Sequence, residues 1–153
     1  MTSMQLLRKG TGSGDRRRAE NAEAPRQRPR PFGYMFDLPP ALLTPHLTER
    51  NVAMCECMID IAAALFNVSS KEMRRPGRAS RQVCRVRQIA MYVTHVVLQV
   101  SMNEIGRGFG RDRTTVMHAC HLIEDMRDDV EFDRVVALTE RVAAAALRRR
   151  EGR

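Results

Sequence analysis

From Thr48 to Phe66, apolar side chains recur at helical spacing at Val52, Met54, Cys55, Met58, Ile59, Ile61, Ala62, Leu65 and Phe66. The pattern predicts a first helix, with Thr48 able to cap it. Ser69 or Ser70 then opens a short turn through Met73, and the stretch from Arg74 to Ser80 follows, whose Pro76 and Gly77 cannot continue a helix. It is expected to be an exposed arginine loop. Ser80 precedes a second long pattern, with Val83, Val86, Ile89, Ala90, Val93 and Val97 on one face and Arg81, Arg85, Gln88 and Tyr92 on an adjoining one. The β-branched run from Val93 to Val97 suits a strand, but it lies inside a sustained period of 3.6, so helix is expected. Ser101 and Glu104 form a capping box opening a short helix that Gly108 and Gly110 bracket at its end. Asp112 can cap the next helix, which turns Val116, Ala119, Cys120 and Ile123 inward and Arg113, Thr114, His118 and His121 outward. The acidic run from Asp128 to Asp133 breaks it. Val135, Leu138, Val142, Ala145 and Ala146 predict a final amphipathic helix ending in Arg148, Arg149 and Arg150, where cations suit the helix dipole.

These elements define an all-α fold, and the composition agrees. In 153 residues there is room for one domain plus tails. The chain is 43% hydrophobic with 5% aromatic residues and no tryptophan, so its core is aliphatic and suits packed helices. Residues 1–46, rich in Gly, Ser, Pro and Arg, cannot bury a core and are expected to form a disordered arm. Its one apolar cluster, Phe32, Tyr34, Met35 and Phe36, is either a docking peptide for a protein partner or a segment with no role. Residues 47–130 hold the main domain and 131–153 the C-terminal helix with its basic end. No apolar run of spanning length and no signal-like apolar stretch near the start is found, so a cytoplasmic, nucleoid-associated protein is expected. Cys55, Cys57, Cys84 and Cys120 fall in helical patterns and are expected to be reduced, mostly buried thiols.

Charge changes the picture most. The net charge of +8 is concentrated in residues 71–113, which hold ten basic groups against three acidic ones, and all but two of the chain's 26 cations are arginines. A one-sign stripe of that density is what a phosphate-tracking surface needs. Two helices joined by a short glycine-bearing turn, from Ser101 to about Asp128, have the form of a helix-turn-helix. The first turn of its second helix carries groups suited to base edges. Arg113 can bond guanine twice, Asp112 can accept from cytosine N4, and the methyl groups of Thr114 and Thr115 can touch thymine.

The run from Arg87 to Met126 resembles the C-terminal DNA-binding domain of the bacterial replication initiator DnaA. Ser101, Glu104, Ile105, Gly106, Phe109, Gly110, Arg111, Asp112, Thr114, Thr115, Val116, His118 and Ala119 match its signature, and the likeness extends over roughly residues 48–130. The resemblance implies a Trp-repressor-like helix-turn-helix domain of five to six helices that binds double-stranded DNA as a monomer. It implies base contacts from Asp112, Arg113, Thr114 and Thr115, and a minor-groove arginine from the basic loop. Ala79 aligns with that inserting position, which makes the adjacent Arg78 the candidate. Phosphate contacts are expected from Arg81, Arg85, Arg87, Arg111, His118 and Ser101. Three positions depart from the family pattern: Arg113 replaces its usual histidine, Gly110 stands alone where glycines are paired, and Leu122 replaces a cation. The preferred DNA sequence is therefore expected to differ, with guanine favoured at the position that residue 113 reads.

Other chemistry is poorly supported. His118, Cys120 and His121 lack a second matched pair for zinc, and Cys55 and Cys57 lack the C-x-x-C spacing of common metal or redox sites. The glycine-rich stretch at 10–14 has no Lys-Ser/Thr after it, so no nucleotide or other cofactor is expected. No nucleophile, paired carboxylate or phosphate loop suggests an enzyme. The rival to DNA recognition is an adaptor that recruits a partner through the N-terminal arm with weak DNA affinity.

Overall fold

The computed structural model describes residues 45–147, and the expected arm, the cluster at Phe32 to Phe36 and the basic end at Arg148 to Arg150 lie wholly or almost wholly outside them. Among the described residues the protein is all-helical, with six helices and no strand: α1 (Pro45–Phe66), α2 (Ser70–Arg74), α3 (Arg81–Leu98), α4 (Met102–Phe109), α5 (Arg113–Met126) and α6 (Val130–Leu147). None is long and apolar enough to cross a membrane.

Helix α3 is the axis of the fold. It packs against each of the other five helices, and from Ile89 to His95 every residue is buried. The expected one-sided stripe thus holds only in its first half. Tyr92, placed on the arginine face by periodicity, is completely buried because α6 covers that side of α3. Polar groups in this stretch are satisfied locally: the Thr94 hydroxyl donates to the Ala90 carbonyl at 2.7 Å, and His95 Nδ1 lies 2.9 Å from the Val100 carbonyl. The run from Val93 to Val97 is helical, as its period predicts. Helix α3 stops where Gln99 takes a left-handed conformation and its amide returns to Thr94.

Two other expectations change in detail. Helix α1 begins at Pro45, one turn before the predicted cap Thr48, since proline is suited to a first helical position. Helix α6 buries Val136, Thr139, Ala143 and Leu147, whereas Val135 and Leu138, expected inside, are 39% and 47% exposed. The adjacent valines at 135 and 136 make two stripes about equally apolar, and the packing against α3 and α1 selects the one containing Thr139. Its hydroxyl is accommodated by donating to the Val135 carbonyl at 2.9 Å.

A clasp fixes α6 to the end of α5. Arg127, the C-cap of α5, bonds Asp133 at 2.7 Å and Glu140 at 2.6 Å on α6 and the Tyr92 hydroxyl at 3.1 Å on α3, with its guanidinium 5.7 Å from the Tyr92 ring centre. Partial burial pulls its pKa down, but bonds to the two carboxylates outweigh this and leave it raised.

Candidate nucleic-acid interface

Each of the three helix starts around the site carries the cap that its sequence predicts. The Ser80 hydroxyl accepts from the Val83 amide at 3.2 Å, Ser101 from Glu104 at 3.3 Å, and the Asp112 carboxylate from Thr115 at 2.6 Å. Glu104 closes its box through the Ser101 hydroxyl, which donates to it at 3.0 Å, and also accepts from Asn51 Nδ2 at 2.9 Å. The buried box thereby ties the start of α4 to α1.

The turn between α4 and α5 is narrow. Gly110 adopts φ 62° at the end of α4, a conformation glycine takes without steric cost, and the Arg111 amide donates to the Gly106 carbonyl at 2.8 Å. A side-chain carbon at Gly106 would lie 2.6 Å from the Arg111 carbonyl oxygen, so only glycine lets the turn fold back this tightly. Gly108, expected to help end the helix, instead lies inside α4 and lets it approach α1, where an added carbon would meet Cys55 Cβ at 2.4 Å.

The tight turn exposes the start of α5. Asp112, Thr114 and Thr115 are exposed and Arg113 half-exposed, while Val116, Ala119, Cys120 and Ile123 form the buried face against α3 and α4. The amide of Thr115, then its hydroxyl, hold the Asp112 carboxyl below the usual carboxylate range, so Asp112 is ionised at neutral pH. His118 and His121 are exposed on the outer face of the helix.

The basic loop is fastened to this turn by backbone oxygens. Arg111 donates to the Arg75 carbonyl at 2.8 Å and the Gly110 carbonyl at 2.9 Å. Beside it, Arg87 donates to the Met73 and Glu72 carbonyls, both at 2.9 Å. Burial, and then the charge of Arg111, lower the Arg87 pKa, although the guanidinium stays charged. Between these anchors and α3, the loop turns through Gly77 at φ 89°, leaving Arg78 and Arg81 exposed. Arg85 is half-buried and bonds Gln88 at 3.1 Å.

The expected site residues thus fall into two groups. Asp112, Thr114, Thr115, Arg78, Arg81 and His118 are exposed, with Arg113, Arg85 and Arg111 partly so. Arg87 and Ser101, expected at phosphates, are only 6% exposed each, because their polar atoms are drawn into α2 carbonyls and the α4 box. Periodicity could not separate Arg87 from Arg85, since its destination lies on a helix 14 residues away. The spacing of Gly106, Gly108 and Gly110 was the available signal for the close α1–α4 approach. Among the described residues, no cluster of three His, Cys, Asp or Glu could hold a metal ion. Burial, with Glu104 or Glu124 nearby, pushes the Cys55 and Cys120 thiols up to about 12, while Cys57 and Cys84 are half-exposed.

Residues 48–123 match the family model described as the bacterial dnaA protein helix-turn-helix. The chain is similar to a solved structure described as a DNA replication initiation factor, with 26% identity and a TM-score of 0.58 over 63% of this chain and 30% of that one. It is also similar to a replication initiator DnaA bound to AMPPCP and single-stranded DNA, with 25% identity and a TM-score of 0.57 over 64% of this chain and 30% of that one. The chain therefore spans less than a third of the length of either neighbour. Through residues 48–123, which contain α4, the glycine turn and most of α5, the chain belongs to the bacterial DnaA helix-turn-helix family.

Proposed function

We propose that the protein is a sequence-specific reader of double-stranded DNA. Helix α5 enters the major groove by its N-terminal turn, where Asp112, Arg113, Thr114 and Thr115 meet base edges. Arg78 reaches from the basic loop into the adjacent minor groove, and Arg81, Arg85, Arg111 and His118 hold phosphates. Arg87 and Ser101 serve the interface from inside, by fixing α2 and the start of α4. The observation that carries this reading is the Arg111–Arg75 bond, which fastens the loop bearing Arg78 to the turn that presents the start of α5.

The site is asymmetric, and a single domain presents both groove-directed features, so the protein acts as a monomer on a short asymmetric sequence. Its role is regulatory, in transcription or in replication initiation by occupation of initiator-like boxes, on the nucleoid in the cytoplasm. One structural neighbour is named as a replication initiator, which favours the replication setting. Selection of bound duplexes from a random pool at two salt concentrations tests the proposal. One enriched asymmetric motif, with guanine where residue 113 reads, is expected. Equal retention of all sequences at both salts refutes sequence-specific recognition.

A further inference from the structure

Helix α5 turns about 100° per residue, so its exposed side can be followed along its whole length. Opposite the buried face lie Thr114, His118, His121 and Asp125, all exposed. Arg113, in the first turn, is the only Lys or Arg in this helix. Beyond it, the groups on this stripe able to donate to a phosphate with positive charge are the two imidazoles. On the basis of the DNA-binding reading above, we propose that His121, one turn past His118, is a phosphate contact that makes duplex affinity rise as pH falls.

A neutral imidazole donates one N–H, whereas an imidazolium donates two and brings a full charge; histidine makes this change between about pH 8 and 5. The surrounding charges are mixed. Helix α5 itself carries Glu124 and Asp125. The helices packed against α5 contribute Arg107 and buried Glu104 from α4, and Arg81, Arg85, buried Arg87 and buried His95 from α3. A phosphate beside the ring would supply a compensating negative charge, so proton uptake and DNA binding reinforce each other by linkage.

The test is a set of salt titrations on the selected duplex at about pH 5.5 and about pH 7.5, chosen to bracket the imidazole change. Wild type is compared with H121Q, H121K and A145K, the last placing a cation on the exposed side of α6. Each neutralised phosphate steepens the dependence of log affinity on log salt by about 0.9, or roughly eightfold in affinity at about 0.1 M salt. For wild type, a slope steeper at the lower pH by up to two such steps is expected, one from each histidine. H121Q should lose one step, H121K should show it at both pH values, and A145K should match wild type. If H121Q retains the full wild-type increment, or A145K steepens the slope as H121K does, the contact is overturned. Wild-type binding with a pH-independent slope removes this contact alone, whereas no duplex binding at either pH removes the DNA-binding reading and the contact with it.

Discussion

Replacing Gly108 by alanine adds one carbon where α4 crosses α1. That carbon would lie 2.4 Å from Cys55 Cβ and 2.7 Å from its sulfur, with Val52 Cα at 3.8 Å. Carbon atoms in contact normally stand about 3.5–4.0 Å apart, so the helices must separate by about an ångström. The sulfur could rotate away, but Cys55 Cβ is fixed to the α1 backbone, and the residue is wholly buried. Overpacking costs about 1–3 kcal/mol, here about 2–3 because the clashing Cβ cannot move aside, and alanine returns about 1 kcal/mol of helix propensity. The expected net loss is about 1–2 kcal/mol, lowering Tm by roughly 4–16 °C in a domain of this size. Urea and thermal melts followed by circular dichroism measure it. A double-mutant cycle isolates the cause: Cys55→Ala leaves the offending carbon and should give little relief, whereas Cys55→Gly should show favourable coupling of about 1 kcal/mol or more with Gly108→Ala. A Gly108→Ala protein as stable as wild type, or coupling no larger with Cys55→Gly than with Cys55→Ala, would refute the close approach as the reason for glycine.

Further outcomes follow from the site. Substituting Arg113 or Thr114 by alanine should cost about 1–3 kcal/mol on the selected duplex and flatten discrimination at one position, measured by competition among single-base variants. Arg85→Ala should weaken all sequences alike and reduce the salt slope by about 0.9; a sequence-dependent loss would contradict a phosphate role. Because the folded-state pKa of Asp112 is depressed, its stabilising contribution is present above the ordinary carboxylate pKa of about 3.9 and lost as pH falls through the lower folded value. Asp112→Asn should therefore show a shallower loss of stability below about pH 4, read from urea midpoints. Alkylation of the native protein should reach Cys57 and Cys84 before Cys55 and Cys120, whose thiols are buried and pushed up to about 12; equal rates measured by mass spectrometry would contradict that burial.

The sequence was most informative where a structural requirement is local. Ser80, Ser101 and Asp112 announce their helix starts because capping depends on side chains and amides three residues apart. The exposed first turn of α5 and the arginine loop were legible for the same reason. The burial of Tyr92 and Arg87 was not, because one is enclosed by α6 and the other bonds to α2, and helical periodicity does not identify either partner. Helix α6 defeated periodicity differently. Valine doublets and alanines offer more than one apolar stripe, and only packing selects between them. Arg127 had no sequence signal at all, since its partners lie six and thirteen residues on in α6 and far back in α3.

The brace from Arg111 to the Arg75 carbonyl has a consequence for how such a surface can change. A main-chain oxygen is present whichever amino acid occupies position 75, so the loop can exchange side chains without loosening its attachment. The spacing between the arginine loop and the start of α5 is thus set by the polypeptide itself. Exposed side chains at either end can be replaced while the ruler between them stays the same length.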